Sequence, residues 1–261
     1  MVNTAGSPHQ PRLRVIAGPN GSGKSTIQEM LRPEWIGAYV NADEIEKSLR
    51  ATGTLDLADF GLAGDAGMLE QQLRIHLAAS GLLRQHSLDG AAQTLRVAQA
   101  NLLHLPTRWA NSYVAAVLAD AVRRQLLAQG STFTFETVMS SSDKIDFMEE
   151  ARAGGYRTYL YFVATDDPAI NVARVRLRVE QGGHDVPENK ILERYQRSIA
   201  LLNDACTAAN RAYVFDNSGS EHQWIAEIHE GNELTVHAPA LPAWFTGTTL
   251  WQSFQPAADG L

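Results

Sequence analysis

This sequence has little cysteine, no long hydrophobic run and a shortage of positive charge. Cys206 is the one cysteine among 261 residues, so no disulfide can form within the chain, and no cysteine–histidine zinc spacing is present. No apolar stretch approaches the roughly 20 residues that a membrane-spanning helix needs. The first residues do not form a signal peptide either, so we expect a cytoplasmic protein with no membrane partner.

The charge balance argues against a nucleic-acid partner. Lysine and arginine number 22 against 29 aspartates and glutamates, which gives a formal net charge of −7. An acidic chain attracts a polyanion poorly, although a local basic patch stays possible in principle. Apolar residues make up 44% of the chain, as is typical of globular proteins. We expect one domain over residues 1–261, of which residues 1–11 form a flexible tail.

Short apolar runs alternate with helical patterns along most of the chain. This order predicts an α/β fold with an open, doubly wound, mainly parallel five-stranded sheet. Residues 53–111 are rich in leucine and alanine and show no strand pattern, which predicts a helical insertion. The five predicted strands are Leu13–Ala17, Ala38–Val40, Thr132–Phe135, Thr158–Ala164 and Ala212–Phe215. A late strand is possible at Leu234–Ala238.

The most informative motif is G-P-N-G-S-G-K-S at Gly18–Ser25, between a predicted strand and a predicted helix. In such a strand–loop–helix unit, backbone N–H groups cradle phosphates, and the motif is typical of proteins that bind ATP with Mg²⁺. Lys24 can reach the β- and γ-phosphates, and the Ser25 hydroxyl can ligate Mg²⁺. The residues expected to bind the nucleotide here are Gly18, Asn20, Gly21, Ser22, Gly23, Lys24, Ser25 and Thr26.

Polar residues follow the next predicted strands, where α/β proteins place their ligands. Asp43 comes shortly after the second strand and can accept a proton from an attacking hydroxyl, although Asp43 or Asn41 can instead cap the helix that follows. Glu136 ends the third strand, where it can hold Mg²⁺ through water or bind substrate hydroxyls. Thr137 and Ser140 add short polar groups at the same place.

Two later segments complete the candidate site. Residues 168–205 read as two arginine-bearing helices joined at Gly182-Gly183, which suggests a mobile lid that supplies guanidinium groups to the transferred phosphoryl. Arg174 and Arg178 share one helical face there. A solvated helical hairpin with a Glu193–Arg197 ion pair is the alternative. Asn217 lies in the turn after the fifth strand, where it can touch the adenine.

Together these motifs resemble the zeta-toxin family of P-loop kinases. The resemblance rests on A-G-P-N-G-S-G-K-S-T, N-A-D, F-E-T-V-M-S, G-G-H-D-V-P and D-N-S-G, in this order. It implies a P-loop NTPase fold, ATP and Mg²⁺ as cofactors, a possible antitoxin partner, and phosphorylation of the 3′-hydroxyl of the amino sugar in UDP-N-acetylglucosamine.

The resemblance also implies roles for particular residues. Asp43 would be the base, Lys24 would bind the ATP phosphates, and Arg178, with Arg174 as a competitor, would stabilise the transferred charge. The sugar nucleotide would face Glu136 and Thr137, and Ser140 and His184 are further candidate contacts with this substrate. The chain departs from the family at His184, since zeta toxins of known activity carry a second arginine near this position. A histidine is a weaker, pH-dependent cation.

Other functions fit parts of the same pattern. Relatives of this fold phosphorylate other small metabolites, including nicotinamide dinucleotides. A regulatory ATPase would hydrolyse the nucleotide without an acceptor, and its helical insertion would bind a protein. A kinase of nucleic-acid ends is disfavoured by the acidic balance and by the lack of an interleaved basic–aromatic groove.

Overall fold

A computed structural model of the protein describes residues 10–183 and 185–256. His184 and most of the predicted tail at residues 1–11 therefore lie outside the described residues. None of the described helices is both long and apolar enough to cross a lipid bilayer.

The first half of the chain contains short strands and mostly short helices. The strands are β1 (Arg12–Ala17), β2 (Ala38–Val40), β3 (Thr54–Asp56), β4 (Arg96–Val97) and β5 (Leu102–His104). The helices are α1 (Lys24–Met30), α2 (Pro33–Ile36), α3 (Ala42–Thr52), α4 (Ala66–Ala79), α5 (Gly81–Gln85), α6 (Gly90–Thr94) and α7 (Ser112–Ala128). Single 3₁₀ turns cover Ala58–Phe60, Gln99–Asn101 and Thr107–Trp109.

The second half has longer strands and the remaining helices. The strands are β6 (Phe133–Thr137), β7 (Arg157–Ala164), β8 (Arg211–Asp216), β9 (Gln223–His229) and β10 (Glu233–Val236). The helices are α8 (Asp143–Ala153), α9 (Pro168–Glu180), α10 (Glu188–Ala200), α11 (Leu202–Ala208), α12 (Ala243–Thr246) and α13 (Thr249–Ser253).

The chain folds as two compact units. Unit 1 comprises residues 1–32 and 137–261, and unit 2 comprises residues 33–136. A single domain over the whole chain stays a prediction.

In unit 1 the strands form a sheet in the order β10-β9-β8-β7-β1. β7 pairs in parallel with both β1 and β8, as the sequence predicted, and the even-numbered residues of β7 are fully buried because helices cover that face. β9 and β10 then extend the sheet in antiparallel fashion. β10 confirms the possible late strand, beginning one residue and ending two residues earlier than predicted. β9 was not predicted, and the predicted count of five strands was too low.

Unit 2 pairs β2 with β6 in parallel, which confirms two further predicted strands and with them the α/β class. Helices α3 and α7 pack together through buried residues such as Ile45, Leu49 and Leu118. The segment 53–111 is helical at α4, α5 and α6, but it also holds a small antiparallel sheet in the order β3-β5-β4. The prediction of an entirely helical insertion was wrong here, because strands of two or three residues are too short to show alternation.

The predicted lid helices α9 and α10 are held together by a small apolar cluster. Val172 and Val175 of α9 contact Val186 and Ile191 from the following segment. The predicted Glu193–Arg197 pair is present, with 3.0 Å between Oε1 and Nη2, and both side chains are about half exposed. This pair lies within α10 and contributes little stability, so it does not join the two helices. The apolar cluster joins them, together with an exposed ion pair between Arg176 of α9 and Glu188 of α10.

Candidate functional site

The phosphate loop connects β1 to α1 and has the backbone shape that its glycines allow. Gly21 and Gly23 have φ values of +74° and +94°, a region that other residues rarely adopt. Lys24 is buried, and its Nζ donates hydrogen bonds to the carbonyl oxygens of Gly18 at 3.0 Å and Pro19 at 3.1 Å. The lysine therefore folds back across the loop, and its ammonium group lies at the loop's own backbone.

Two asparagines from distant parts of the chain contact this loop from outside. The Nδ2 of Asn171, on α9, donates to the Asn20 carbonyl oxygen at 2.6 Å. The Nδ2 of Asn217, which follows β8, donates to the Ser22 carbonyl oxygen at 2.8 Å. The sequence predicted a contact between Asn217 and the adenine, and the structure places the side-chain amide of Asn217 against the phosphate loop. Asn171 was not predicted at all.

The loop fits a phosphate-bearing ligand. A Cβ at Gly21 would lie 2.5 Å from the Asn171 carbonyl oxygen, and one at Gly23 would lie 2.1 Å from the Asn217 Nδ2. Side chains at these positions would displace the walls of the loop. Asn20 Oδ1 and Ser22 Oγ are buried without a hydrogen-bond partner among the described residues. Buried polar atoms of this kind indicate that something else completes their surroundings.

The residues predicted to approach the metal are less constrained. Ser25 and Thr26, at the start of α1, are exposed. Within residues 10–183 and 185–256, no three histidine, cysteine, aspartate or glutamate side chains converge as a metal site. Mg²⁺ commonly takes only one or two protein ligands and completes its shell with phosphates and water, so Ser25 still fits the predicted role.

The structure decides between the two possible caps of α3. Asn41 is the N-cap, and its Oδ1 accepts a hydrogen bond from the Asp43 backbone N–H at 2.8 Å. Asp43 lies in the first helical turn and is exposed. Its carboxylate is therefore not used as a cap, which leaves it accessible for the predicted role as a base.

Glu136 lies within β6 and is anchored by two neighbours in unit 2. Its Oε2 accepts hydrogen bonds from the Tyr39 hydroxyl at 2.9 Å and from Asn41 Nδ2 at 3.3 Å. Burial and then the adjacent Glu136 carboxylate raise the pKa of Tyr39 well above its usual value, so its hydroxyl stays a donor. These contacts fix the carboxylate in place, and Tyr39 was missed by the sequence analysis.

The other predicted substrate residues have mixed surroundings. The Thr137 hydroxyl accepts a hydrogen bond from the Met139 N–H at 3.2 Å. Met139 is buried with a φ of +54°, a conformation uncommon for a side chain of its size. Ser140 is half-buried in the loop that follows. Ser198 of α10 donates to the Val138 carbonyl at 2.8 Å, so the second lid helix is tied to this same loop.

The two predicted lid arginines have different surroundings. Arg174 Nη2 donates to the Gly219 carbonyl oxygen at 3.2 Å, which ties α9 to the loop after β8. Arg178, one turn later, is exposed, and its stem packs over Gly183. Their shared helical face is confirmed by α9, while their contact with a phosphoryl group stays a prediction. His184, predicted to bind substrate, lies outside the described residues.

A network at the carboxyl ends of β7 and β8 holds the C-terminal aromatic residues. Asp216 Oδ1 accepts from the Trp244 indole at 2.8 Å and from the Ser218 hydroxyl at 2.7 Å. Asp166 Oδ1 accepts from the Trp244 backbone N–H at 3.1 Å. Trp244 and Phe245 are buried, as we expect of late aromatics that pack back on their own fold.

Unit 1 thus brings together the phosphate loop, Asn171, Arg174 and Asn217, and unit 2 brings together Glu136, Tyr39 and Asn41. The joint placement of Lys24 with Asp43 and Glu136 stays a prediction. The residues that sequence reasoning missed are internal supports. Their signal in the sequence, an isolated asparagine or tyrosine, is too common to single out.

Part of this chain matches a known protein family. Residues 111–227 match the family model described as Zeta toxin. This confirms the zeta-toxin resemblance over less than half of the chain. The matched segment contains Glu136, Arg174, Arg178 and Asn217, but neither the phosphate loop nor Asp43. A protein of Haemophilus influenzae described as uncharacterized is 32% identical over 63 residues, which are 24% of this chain and 45% of that protein.

Two solved structures are similar to parts of this chain. The AvrRxo1-ORF1:AvrRxo1-ORF2 complex with sulphate ions is similar with a TM-score of 0.51 at 15% identity, over 87% of this chain and 61% of the matched chain. The PezAT toxin–antitoxin system of Streptococcus pneumoniae gives 0.44 at 15% identity, over 82% of this chain and 71% of that one. The family match, the phosphate loop and the AvrRxo1 similarity together give the chain a P-loop NTPase fold.

This chain spans less than half of the Haemophilus protein and less than two thirds of the AvrRxo1 chain.

Proposed function

We propose that this chain is an ATP-dependent kinase that transfers a phosphoryl group to a hydroxyl of a small molecule. The first candidate acceptor is the 3′-hydroxyl of UDP-N-acetylglucosamine, and the protein would act as a zeta-type toxin in the cytoplasm. The observation that carries the proposal is the phosphate loop with Lys24 buried across it. The zeta-toxin match at residues 111–227 supports the choice of acceptor.

The loop residues Gly18–Thr26 would hold ATP, with Lys24 at the phosphates and Ser25 at Mg²⁺. When bound, ATP with Mg²⁺ supplies the phosphoryl group and neutralises much of its charge. Lys24 would exchange its bonds to the Gly18 and Pro19 carbonyls for bonds to phosphate oxygens. The carbonyl oxygens are neutral and the phosphate oxygens carry negative charge, so the attraction of the Lys24 ammonium group to the phosphate favours the exchange.

The remaining roles fall to side chains that the chain already positions. Asp43 would accept the proton of the acceptor hydroxyl at its exposed carboxylate. Glu136, held by Tyr39 and Asn41, would accept hydrogen bonds from substrate hydroxyls or hold Mg²⁺ through water. Thr137, Ser140 and His184 would contact the same substrate.

The lid would bear the developing charge. Arg178, exposed near the end of α9, would reach the transferred phosphoryl. Arg174 competes for this role, but its bond to the Gly219 carbonyl favours a part in holding the loop after β8.

The test supplies labelled ATP, Mg²⁺ and UDP-N-acetylglucosamine, and in parallel a metabolite extract. We expect a product heavier by one phosphate, identified by mass spectrometry. Asp43→Asn should keep ATP binding and slow transfer by about 10²–10⁴-fold, which is the usual contribution of a positioned proton acceptor. Glu44→Gln is the matched control, since Glu44 is an exposed carboxylate in the same first turn of α3.

Three outcomes would change the assignment. Label released only as inorganic phosphate would replace the kinase with a regulatory ATPase. A labelled nicotinamide dinucleotide, with no labelled sugar nucleotide, would correct the acceptor. Equal rates for Asp43→Asn and Glu44→Gln would remove Asp43 from the chemistry.

A protein antitoxin is the proposed partner, supported by the zeta-toxin match. The AvrRxo1-ORF1:AvrRxo1-ORF2 structure, one chain of which is similar in fold, is itself a complex of two proteins. Expression in a bacterial host should slow growth for the unaltered chain and not for Lys24→Ala. Equal growth of the two would argue against toxicity and remove the reason for an antitoxin.

A further inference from the structure

We propose that Asn171 and Asn217 are positioning residues that hold the phosphate loop open for an anion by fixing two of its peptide groups from outside. The inference rests on the proposed nucleotide binding and adds the residues that prepare the loop for it. Neither side chain would touch the ligand.

Asn171 uses both ends of its amide. It is fully buried in the first turns of α9, and its Nδ2 donates to the Asn20 carbonyl oxygen at 2.6 Å. Its Oδ1 accepts a hydrogen bond from the Thr165 hydroxyl, which is also fully buried. The orientation of the amide is set at the Asn20 end, because a flip would place the Asn171 side-chain oxygen against the Asn20 carbonyl oxygen, and neither atom can donate.

Asn217 makes the equivalent contact two residues further along the loop. It is nearly buried, and its Nδ2 donates to the Ser22 carbonyl oxygen at 2.8 Å. Its backbone N–H donates to the Ala164 carbonyl at 2.8 Å, which fixes the residue to the end of β7. The closeness of its Nδ2 to Gly23 leaves the side chain no room to move toward the loop.

Peptide geometry gives these two bonds their consequence. In a planar trans peptide the C=O and the following N–H point in opposite directions. Holding the Asn20 carbonyl on Asn171 therefore turns the Gly21 N–H away from Asn171. Holding the Ser22 carbonyl on Asn217 does the same for the Gly23 N–H. Backbone N–H groups turned to the inside of a loop form the concavity that binds phosphate.

Both asparagines form hydrogen bonds with the carboxyl end of β7. Asn171 bonds the Thr165 side chain, Asn217 bonds Ala164, and these two residues are neighbours at the end of β7. The Tyr195 hydroxyl of α10 donates to the Thr165 carbonyl at 2.6 Å, so the second lid helix joins this point too. Burial and the nearby carboxylates raise the pKa of Tyr195 to about 12, so this donor persists at neutral pH. The loop is thus shaped before any ligand arrives.

The test measures anion binding by titration calorimetry with inorganic tripolyphosphate and with ATP. Asn171→Asp and Asn217→Asp keep the side-chain volume and replace the Nδ2 donor by an oxygen that repels the carbonyl. We expect each variant to weaken binding of both ligands by about tenfold or more, because the loop carbonyl loses its hydrogen-bond donor and then faces an oxygen that repels it. Asn232→Asp, at an exposed turn of the same unit, makes the same chemical change and should leave both affinities unaltered.

A second readout separates positioning from general stability. Amide NMR of ¹⁵N-glycine-labelled protein should show the Gly21 and Gly23 signals shifting with tripolyphosphate in the unaltered chain and losing that response in the two variants. Where an aspartate variant does not fold, the alanine variant at that position serves instead, and it should weaken binding in the same direction.

The outcomes are distinct. If the unaltered chain binds tripolyphosphate and ATP, and folded variants at positions 171 and 217 bind them equally well, the positioning role is overturned while the proposed function stands. If the unaltered chain binds neither ligand, the proposed function fails, and the inference fails with it.

Discussion

Replacing Gly23 by alanine tests the structure of the phosphate loop in a way that separates two costs. Gly23 has a φ of +94°, and an added Cβ would lie 2.1 Å from Asn217 Nδ2. Gly155 in the same unit has a φ of +87° and no atom within 4 Å of the corresponding Cβ position. Gly155→Ala therefore carries only the backbone penalty, and Gly23→Ala carries that penalty together with a clash.

The magnitudes follow from these two environments. A left-handed conformation costs a non-glycine residue roughly 1–2 kcal/mol, partly offset by about 0.4–1 kcal/mol from a less flexible unfolded chain. We therefore expect Gly155→Ala to lower the free energy of unfolding by about 1 kcal/mol. In Gly23→Ala the Asn217 side chain must also move, which leaves the Ser22 carbonyl without its donor and adds about 1–3 kcal/mol.

The assay is urea unfolding followed by circular dichroism, with the double variant Gly23→Ala/Asn217→Ala completing a cycle. Asn217→Ala removes the atom that the new Cβ would meet. In the Asn217→Ala background, Gly23→Ala should therefore lower the free energy of unfolding by only about 1 kcal/mol, as Gly155→Ala does. Equal losses for Gly23→Ala and Gly155→Ala in the unaltered background would refute the packing of Asn217 against the loop.

Two further substitutions test unit 2. Burial alone would raise the pKa of Asp120, but bonds and charges from His76, Arg123 and Arg124 hold it well below its usual range. Asp120→Asn should therefore lower the free energy of unfolding by about 1–3 kcal/mol at pH 7, and the loss should shrink below about pH 4, where the unfolded aspartate is protonated. Tyr39→Phe removes the hydroxyl donor to Glu136 and, under the proposed function, should slow phosphoryl transfer about tenfold. The factor should be the same at pH 7 and pH 9, because the raised pKa of Tyr39 keeps its hydroxyl protonated at both.

The Asp120→Asn and Tyr39→Phe substitutions each have a matched control. Asp59→Asn alters an exposed aspartate of the same unit and should leave stability unchanged at both pH values. A loss for Asp120→Asn that is as large at pH 3 as at pH 7 would contradict the charge argument. Tyr113→Phe alters a tyrosine whose ring stacks on His86, and it should leave the transfer rate unaltered. A Tyr39→Phe protein as fast as Tyr113→Phe would deny Tyr39 a part in orienting the carboxylate.

The sequence predicted those parts of the fold that depend on local pattern. All five predicted strands exist, because each is a short apolar run that pairs in parallel with a neighbour. The phosphate loop is equally predictable, since its glycines take backbone angles that few other residues tolerate. β3, β4 and β5 were missed because two or three residues give no measurable period. β9 was missed because its buried residues Ile225, Ala226 and Ile228 do not alternate cleanly, next to a register shift at Val214/Phe215.

The site was predictable only where chemistry restricts the residue type. Lys24 follows from its motif, and Asp43 and Glu136 follow from strand ends. Asn171 and Tyr39 act through tertiary contacts with residues 151 and 97 positions away, and no local pattern encodes such contacts. Asn217 was found by its position, but its bond to the phosphate loop was not predicted, because the D-N-S-G turn indicates where the residue lies and not which way its amide points.

The network around Trp244 bears on where the chain can be trimmed. The family match ends at residue 227, inside β9, and begins at residue 111, after the phosphate loop. A fragment cut at those boundaries would lose the whole Gly18–Ser25 motif. It would also remove the indole donor to Asp216 and the backbone donor to Asp166, so that Asp216 keeps its bonds from Ser218, and it would expose the face of Phe162 that Trp244 covers. Shortened versions made for crystallisation or for fusion to a reporter should therefore retain residues 10–254 and place the added sequence beyond them.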